Sequence, residues 1–321
     1  MSVPNQYGPV ASMLVGILCL VAAGAHAGPA SAQVDLSGNW RAISAGGGGQ
    51  DFPVDFAGVP VNTQGRAAAL SYNAERLEEL QQQCQPYLAH YLVTTPVGGI
   101  DFEPIRDPVS GTVIAWQIGG TVDRPPMTIW MDGRRDPPLA EHTSSGFSTG
   151  TWQGDTLIVT TTHLNDGLLT HNGVPSSNQT TLTLFFTRHG DLLSATGVIR
   201  DPVYLEAPWV VAQVFRTDTN GPAFESDVIL GHCMPENVIS GLSDGYHSIS
   251  YLPGQNPDLR YMWDHYGIPP DAALGGVHTM LPQSTHELER QYRRPRAYCA
   301  MACCDSRDPK MDCKSLDVGG G

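Results

Sequence analysis

The sequence predicts a mainly β protein: an antiparallel, lipocalin-like barrel, or alternatively a β-sandwich, with one N-terminal helix and an extended C-terminal segment. Three observations carry that reading. The 321 residues include 35 glycines and 25 prolines, which suits many short elements joined by turns. Hydrophobic residues make up 41% and charged residues 16%, enough apolar side chains for a core and unlike a disordered chain. Between residues 129 and 209, short apolar runs alternate with tight-turn signals, the pattern of antiparallel hairpins in series.

Taken in order, residues 35–40 read as a first strand, and the glycine run at 46–49 as a loop. Residues 65–84 read as one long helix. Leu70, Leu77 and Leu80 recur near helical spacing, Glu75, Arg76, Glu78 and Glu79 lie on the other side, and Gln85-Pro86 ends it. From 112 onward strands dominate, first at 112–118 and 127–131. Segments 149–152 and 156–162 flank Gln153-Gly154-Asp155, a hairpin turn signal. Segments 180–188 and 192–199 flank His189-Gly190-Asp191 in the same way, and Leu182, Leu184 and Phe186 alternate with Thr181, Thr183 and Phe185. Residues 209–217 form a further strand. Beyond Asn237, Pro- and Gly-rich sequence with a short helix at 258–266 reads as a wrapping segment.

Three regions follow from composition. Residues 1–32 resemble a secretory signal peptide: an apolar run at 13–25 precedes Ala25-His26-Ala27 and Ala30-Ser31-Ala32, both of which fit the cleavage rule, although no Lys or Arg comes before the run. The run is short for a bilayer span, and no later stretch approaches that length. Residues 33–284 form a single β-rich domain, and 285–321 a Cys-rich tail. The expected location is periplasmic or secreted.

Loss of the leader removes Cys19 and leaves Cys84, Cys233, Cys299, Cys303, Cys304 and Cys313. An even number in an exported chain predicts disulfides, most simply Cys84–Cys233 with two bridges in the tail. The rival is a metal knuckle at 299–313, but adjacent cysteines suit one zinc poorly and no C-x-x-C pair is present. The net charge of −14 excludes a nucleic-acid partner, which needs a basic face.

Several motifs bear on chemistry. Gly146-Phe147-Ser148-Thr149-Gly150 matches G-x-S-x-G, but a nucleophile elbow needs an apolar strand before the serine and a helix after it. Here Glu141-His142-Thr143-Ser144-Ser145 precedes and a hairpin strand follows, so the string reads as a strand start. Gly38-x-Trp40 and Gly150-x-Trp152 have the spacing that lipocalin-like barrels carry at a first strand. His163, Asp166 and His171 follow a strand, where loops often carry function, and suit a general base with a carboxylate partner. Asp132-Gly133-Arg134-Arg135-Asp136 reads as a turn whose arginine is able to hold an anionic group. Arg200-Asp201-Pro202 reads as a salt-bridged corner. Glu236 lies in His232-Cys233-Met234-Pro235-Glu236-Asn237 and is a second candidate carboxylate.

Taken together, the strings MDGRRDPP, GFSTGTWQGDTLIVTTTHL, NGVPSS, DPVYLEAPW, CMPEN and YLPGQNPDLRYMWDHYGIP, spread from Leu36 to Pro282, resemble a large family of exported bacterial proteins with no established activity. The resemblance implies one β-rich exported unit and transfers no catalytic residue. Members of that family commonly have His-Pro after the Asp-Gly-Arg, where this chain has Asp136-Pro137.

The function expected from these residues is an exported, cofactor-independent enzyme acting on a small, mostly apolar molecule by acid–base chemistry, of lyase, isomerase or hydratase type. His163 is the base, Asp166 or Glu236 its partner and Arg134 an anion clamp, while Trp152 and Trp209 line the pocket. No metal ligand set is assigned. The alternatives are a non-catalytic periplasmic binding protein for a small molecule, and an envelope structural or interaction protein.

Overall fold

The alternation read from the sequence becomes a closed barrel. The computed structural model describes residues 34–43, 56, 58–72, 87–96, 99–120, 124–170, 172–219, 251–252, 254–260, 263, 269–284 and 287. Its strands are β1 (Gly38–Ala42), β2 (Ile100–Arg106), β3 (Val113–Gly119), β4 (Met127–Trp130), β5 (Phe147–Gln153), β6 (Thr156–Thr162), β7 (Gly167–Leu168), β8 (Pro175–Ser176), β9 (Thr181–His189), β10 (Leu192–Arg200) and β11 (Trp209–Asp218). Around the barrel the order is β1-β11-β10-β9-β6-β5-β4-β3-β2, and β2 pairs back onto β1. β7 and β8 form a separate two-stranded ribbon.

Nine strands cannot close with antiparallel pairs alone. Each antiparallel step reverses direction, and a circuit has to return to its starting direction. One pair must therefore run parallel, and it is β4 with β5, through Ile129–Ser148 and Trp130–Thr149. The barrel is therefore mainly antiparallel with one parallel pair, and closure removes the sandwich alternative. A parallel pair needs a long crossover, and residues 131–146 supply it.

Period-2 alternation sends one face of each strand inward. Leu182, Leu184 and Phe186 on β9 are fully buried, as are Leu157 and Val159 on β6. Trp40, Phe102, Trp116, Phe186 and Phe215 bring large aromatic side chains into the same core, with Phe102 edge-on to both Trp116 and Phe186. One end of the barrel carries the hairpin turns at Gly154 and Gly190, both in the left-handed region (φ 59° and 65°). There the Trp40 indole donates to the Leu36 carbonyl at 3.0 Å, and the Arg188 guanidinium lies 5.1 Å from its ring centroid. The tryptophan of the Gly38-x-Trp40 string thus sits at the base of the barrel.

The opposite end is closed by residues 87–96, around the short helix α2 (Tyr91–Thr94). Four of its groups are tied across the mouth. The Ala89 N–H donates to the Ser144 carbonyl at 2.9 Å, His90 Nε2 to the Leu168 carbonyl at 2.9 Å and the Thr94 hydroxyl to the Leu169 carbonyl at 3.3 Å. The Val93 carbonyl accepts from the Gln213 amide at 3.0 Å. Gly197 makes room for this plug, since a Cβ there would lie 2.6 Å from Val93 Cγ2. Burial pushes His90 down to about 4, so its imidazole is neutral.

The helix expected at 65–84 differs from the structure. Helix α1 runs Thr63–Leu70, is capped by the Asn62 carboxamide accepting from the Gly65 N–H, and ends at Ser71. Its last carbonyls are taken by the C-terminal segment: Asn256 donates to Leu70 and Tyr72, and the Tyr251 N–H to Ser71. Continuation beyond Tyr72, including Leu77, Leu80 and Cys84, lies outside the described residues. β2 was not among the expected strands, and Pro104, which has no N–H to give the ladder, sits in its middle. The short helix expected at 258–266 begins instead as a 3-10 turn over Pro257–Arg260, and α3 (Pro270–Ala273) follows.

The corner after β10 is organised by Asp201 rather than by a salt bridge. Its buried carboxylate accepts from the Ser177 N–H and hydroxyl, the Thr180 hydroxyl and the backbone of Val203 and Tyr204, at 2.6–3.1 Å.

Candidate acid–base site

The crossover forced by the parallel pair leaves β4 towards the base and returns to the plugged end, passing the end of β6. It thereby brings Asp136 and His142 beside His163. The Asp136 carboxylate accepts from the Thr162 hydroxyl at 2.7 Å and meets His163 Nδ1 at 3.1 Å. Thr162 Oγ1 also lies 2.9 Å from His163 Nδ1. Because the threonine proton is committed to Asp136, its oxygen is left to accept. Both neighbours of Nδ1 are then acceptors, which places the imidazole proton on Nδ1 and the lone pair on Nε2.

His142 is fixed by the same logic. Its Nδ1 lies 2.8 Å from the Leu164 carbonyl, an acceptor only, so Nδ1 carries a proton here too. The two imidazole centroids are 5.2 Å apart and the rings inclined by 52°. The backbone holds this geometry: the Thr143 N–H donates to the His163 carbonyl and the Asn165 N–H to Thr143, at 2.9 and 3.0 Å. His163 has φ 57°, the one non-glycine residue with positive φ among the described residues. Such a conformation costs about 1 kcal/mol for a residue with a Cβ and persists only where surrounding contacts impose it. The His163 side chain is mostly buried, with 14% exposure.

The other expected residues fall elsewhere. Asp166 accepts from the Asn178 N–H at 2.9 Å and closes the loop carrying β7 and β8. The carboxylate at His163 is Asp136. Arg134 is matched within its own turn: its guanidinium makes three contacts of 2.5–3.0 Å with Asp132 and lies 3.5 Å over the Trp130 ring. That pairing holds Asp132 down at about 2 and raises Arg134. Asp132 thus engages the Nε and Nη2 edge of Arg134 within the turn.

Trp152 pairs with Leu157 near the base of β6, and six residues of strand, about 20 Å, separate that level from His163. It cannot line the same pocket. Trp209 opens β11 at the plugged end, opposite Ile199, and packs against the core. Glu236, His171 and the cysteines 84, 233, 299, 303, 304 and 313 lie outside the described residues, so the disulfide expectation does too.

Ser148 faces into the barrel, buried, with its hydroxyl 2.8 Å from that of Thr161. Its flanking glycines answer to packing. A Cβ at Gly146 (φ 64°) would lie 2.4 Å from the Thr162 carbonyl oxygen, and one at Gly150 2.6 Å from Met131 Sδ. The G-x-S-x-G string is therefore a feature of barrel packing. Among the described residues, no group of three or more His, Cys, Asp or Glu is disposed to hold a metal ion.

Sequence reading missed Asp136, His142 and Thr162. Asp136 was visible only as the last residue of the Asp132–Asp136 turn, and His142 only as part of the segment before Ser148. Comparison with models of protein families, with curated proteins and with solved structures gives no match to this chain.

Proposed function

We propose that this protein is an exported enzyme that acts on a small, mostly apolar molecule by acid–base chemistry of lyase, isomerase or hydratase type, with His163 as the general base. The observation that carries the reading is the His163–Asp136 contact on a backbone held at positive φ. Asp136 and Thr162 fix the Nδ1–H tautomer and stabilise the imidazolium that forms when Nε2 takes a proton. His142, likewise protonated at Nδ1, is near enough to hand a proton back when it is in its charged form. One imidazole that accepts beside another that donates is the minimum for moving a proton between two positions of a substrate.

The packed barrel interior supports chemistry at the rim over a carrier role, because a carrier keeps its inward positions open. The signal-like run at 13–25 supports export.

Hydrogen exchange into carbon tests the reading without a known substrate. The protein is incubated in D2O with a panel of small ketones, esters and enones, and deuterium uptake at carbon is followed by mass spectrometry. The expected result is catalysed exchange in a subset of compounds that is lost in His163→Gln. Identical traces from wild type and His163→Gln across the panel would overturn it.

A further inference from the structure

Arg124 is fully buried, yet its charge is poorly matched. Its guanidinium donates to the carbonyls of Pro125 and Ile118 at 3.2 and 3.4 Å, both long contacts, and Nε–H has no acceptor. No carboxylate of the described residues comes within ion-pairing distance of it. Asp101 on β2 acts on it only through space, and although burial pulls Arg124 down to about 10, it stays charged at neutral pH. A buried guanidinium ordinarily finds a carboxylate or phosphate for its planar fork, because an uncompensated charge in a low-dielectric interior is strongly unfavourable.

The site lies at the same end of the barrel as the histidines. Ser145 donates to the carbonyls of Pro125 and Pro126 at 3.0 and 3.1 Å, and Gly146 packs directly on Thr162. The chain before β4, the chain before β5 and the end of β6 thus carry Arg124, Ser145 and His163 to the same end of the barrel, on three neighbouring strands.

We infer that Arg124 anchors the carboxylate of a small, otherwise apolar acid at the plugged end of the barrel. The inference names the substrate class of the reaction proposed above and rests on that reading only for turnover; binding of the acid stands by itself. The carboxylate receives the Nε–H and one Nη–H of Arg124, and the apolar remainder extends along the rim towards His163. Arg124 thereby takes the part of anion clamp expected of Arg134.

Thermal unfolding of the full chain tests the assignment. The probes are straight-chain carboxylates from acetate to octanoate, and benzoate, each beside its neutral primary amide, and samples equilibrate overnight because a buried anchor is reached only through local opening. The expected result is a saturable rise in the midpoint of about 3 °C or more for at least one acid at large excess, with no rise for its amide. Arg124→Lys, which keeps the charge and loses the fork, weakens the apparent Kd about tenfold or more, and Arg124→Met abolishes the response. His163→Gln keeps it, so failure of the catalytic reading leaves this result standing. Absence of a response to every acid, an equal response to acid and amide, or a response undiminished in Arg124→Lys would each overturn the inference.

Discussion

Asp136 and His163 meet at 3.1 Å although one lies on a crossover loop and the other just past the end of β6. The contact follows from the strand count of the barrel. A nine-stranded circuit requires one parallel pair, the parallel pair requires a crossover, and the crossover carries the carboxylate to the imidazole. The geometry of the site is a consequence of closure.

The tautomer of His163 is the most direct test of that contact. In long-range 15N–1H spectra at neutral pH, wild-type His163 is expected as the Nδ1–H form. In Asp136→Asn the amide is able to donate to Nδ1, which moves the ring proton to Nε2 and takes the base away. Any activity dependent on His163 should then fall by about 10²–10⁴-fold. Detection of the Nε2–H form in the wild type would remove the basis of the assignment.

The backbone at His163 predicts a conflict between stability and activity. Because φ is 57° there, His163→Gly should be more stable than His163→Ala by about 1 kcal/mol, since glycine adopts that region without steric cost. Both should be inactive. Equal unfolding midpoints in denaturant for the two variants would show that the strain is absent.

Acid should weaken the plug. His90 titrates near 4 in the folded protein and at 6.5 when exposed, so between these values the unfolded chain binds the extra proton. The contribution of neutral His90 is therefore full above about pH 6.5, falls as the pH drops towards 4, and amounts to about 3 kcal/mol across that window. His90→Gln, which retains an N–H for the Leu168 carbonyl, should flatten the pH dependence of the unfolding free energy by that order. An unchanged slope in the variant would place the acid sensitivity elsewhere.

The plug and the barrel wall should be coupled through Gly197 and Val93. A methyl group at 197 meets Val93 Cγ2 at 2.6 Å, so Gly197→Ala should destabilise by about 1–3 kcal/mol. Val93→Ala opens the space, and the double variant should recover part of that loss. Simple additivity of the two unfolding free energies would mean that the residues do not touch.

Much of the barrel was legible in the chain. Leu182, Leu184 and Phe186 announce an inward face because side chains on a strand alternate every second residue, and Gly154 and Gly190 announce turns because only certain residues adopt positive φ cheaply. The position of His163 at a strand end was legible for the same reason. Nothing local marked Asp136 as its partner, Arg134 as already matched by Asp132, or Arg124 as buried.

By itself, then, the sequence determined the strands β3 to β6 and β9 to β11, their hairpins, the apolar core and a histidine at the end of β6. These are local properties, set by periodicity and turn chemistry within a few residues. Only the tertiary structure decided that the sheet closes, that β4 and β5 run parallel, that 87–96 plug the mouth, and that His163 answers to Asp136 instead of Asp166. Those depend on which distant segments share a strand edge or a rim, and pairing between distant segments is fixed by the packing of the whole barrel and leaves no periodic trace in the chain.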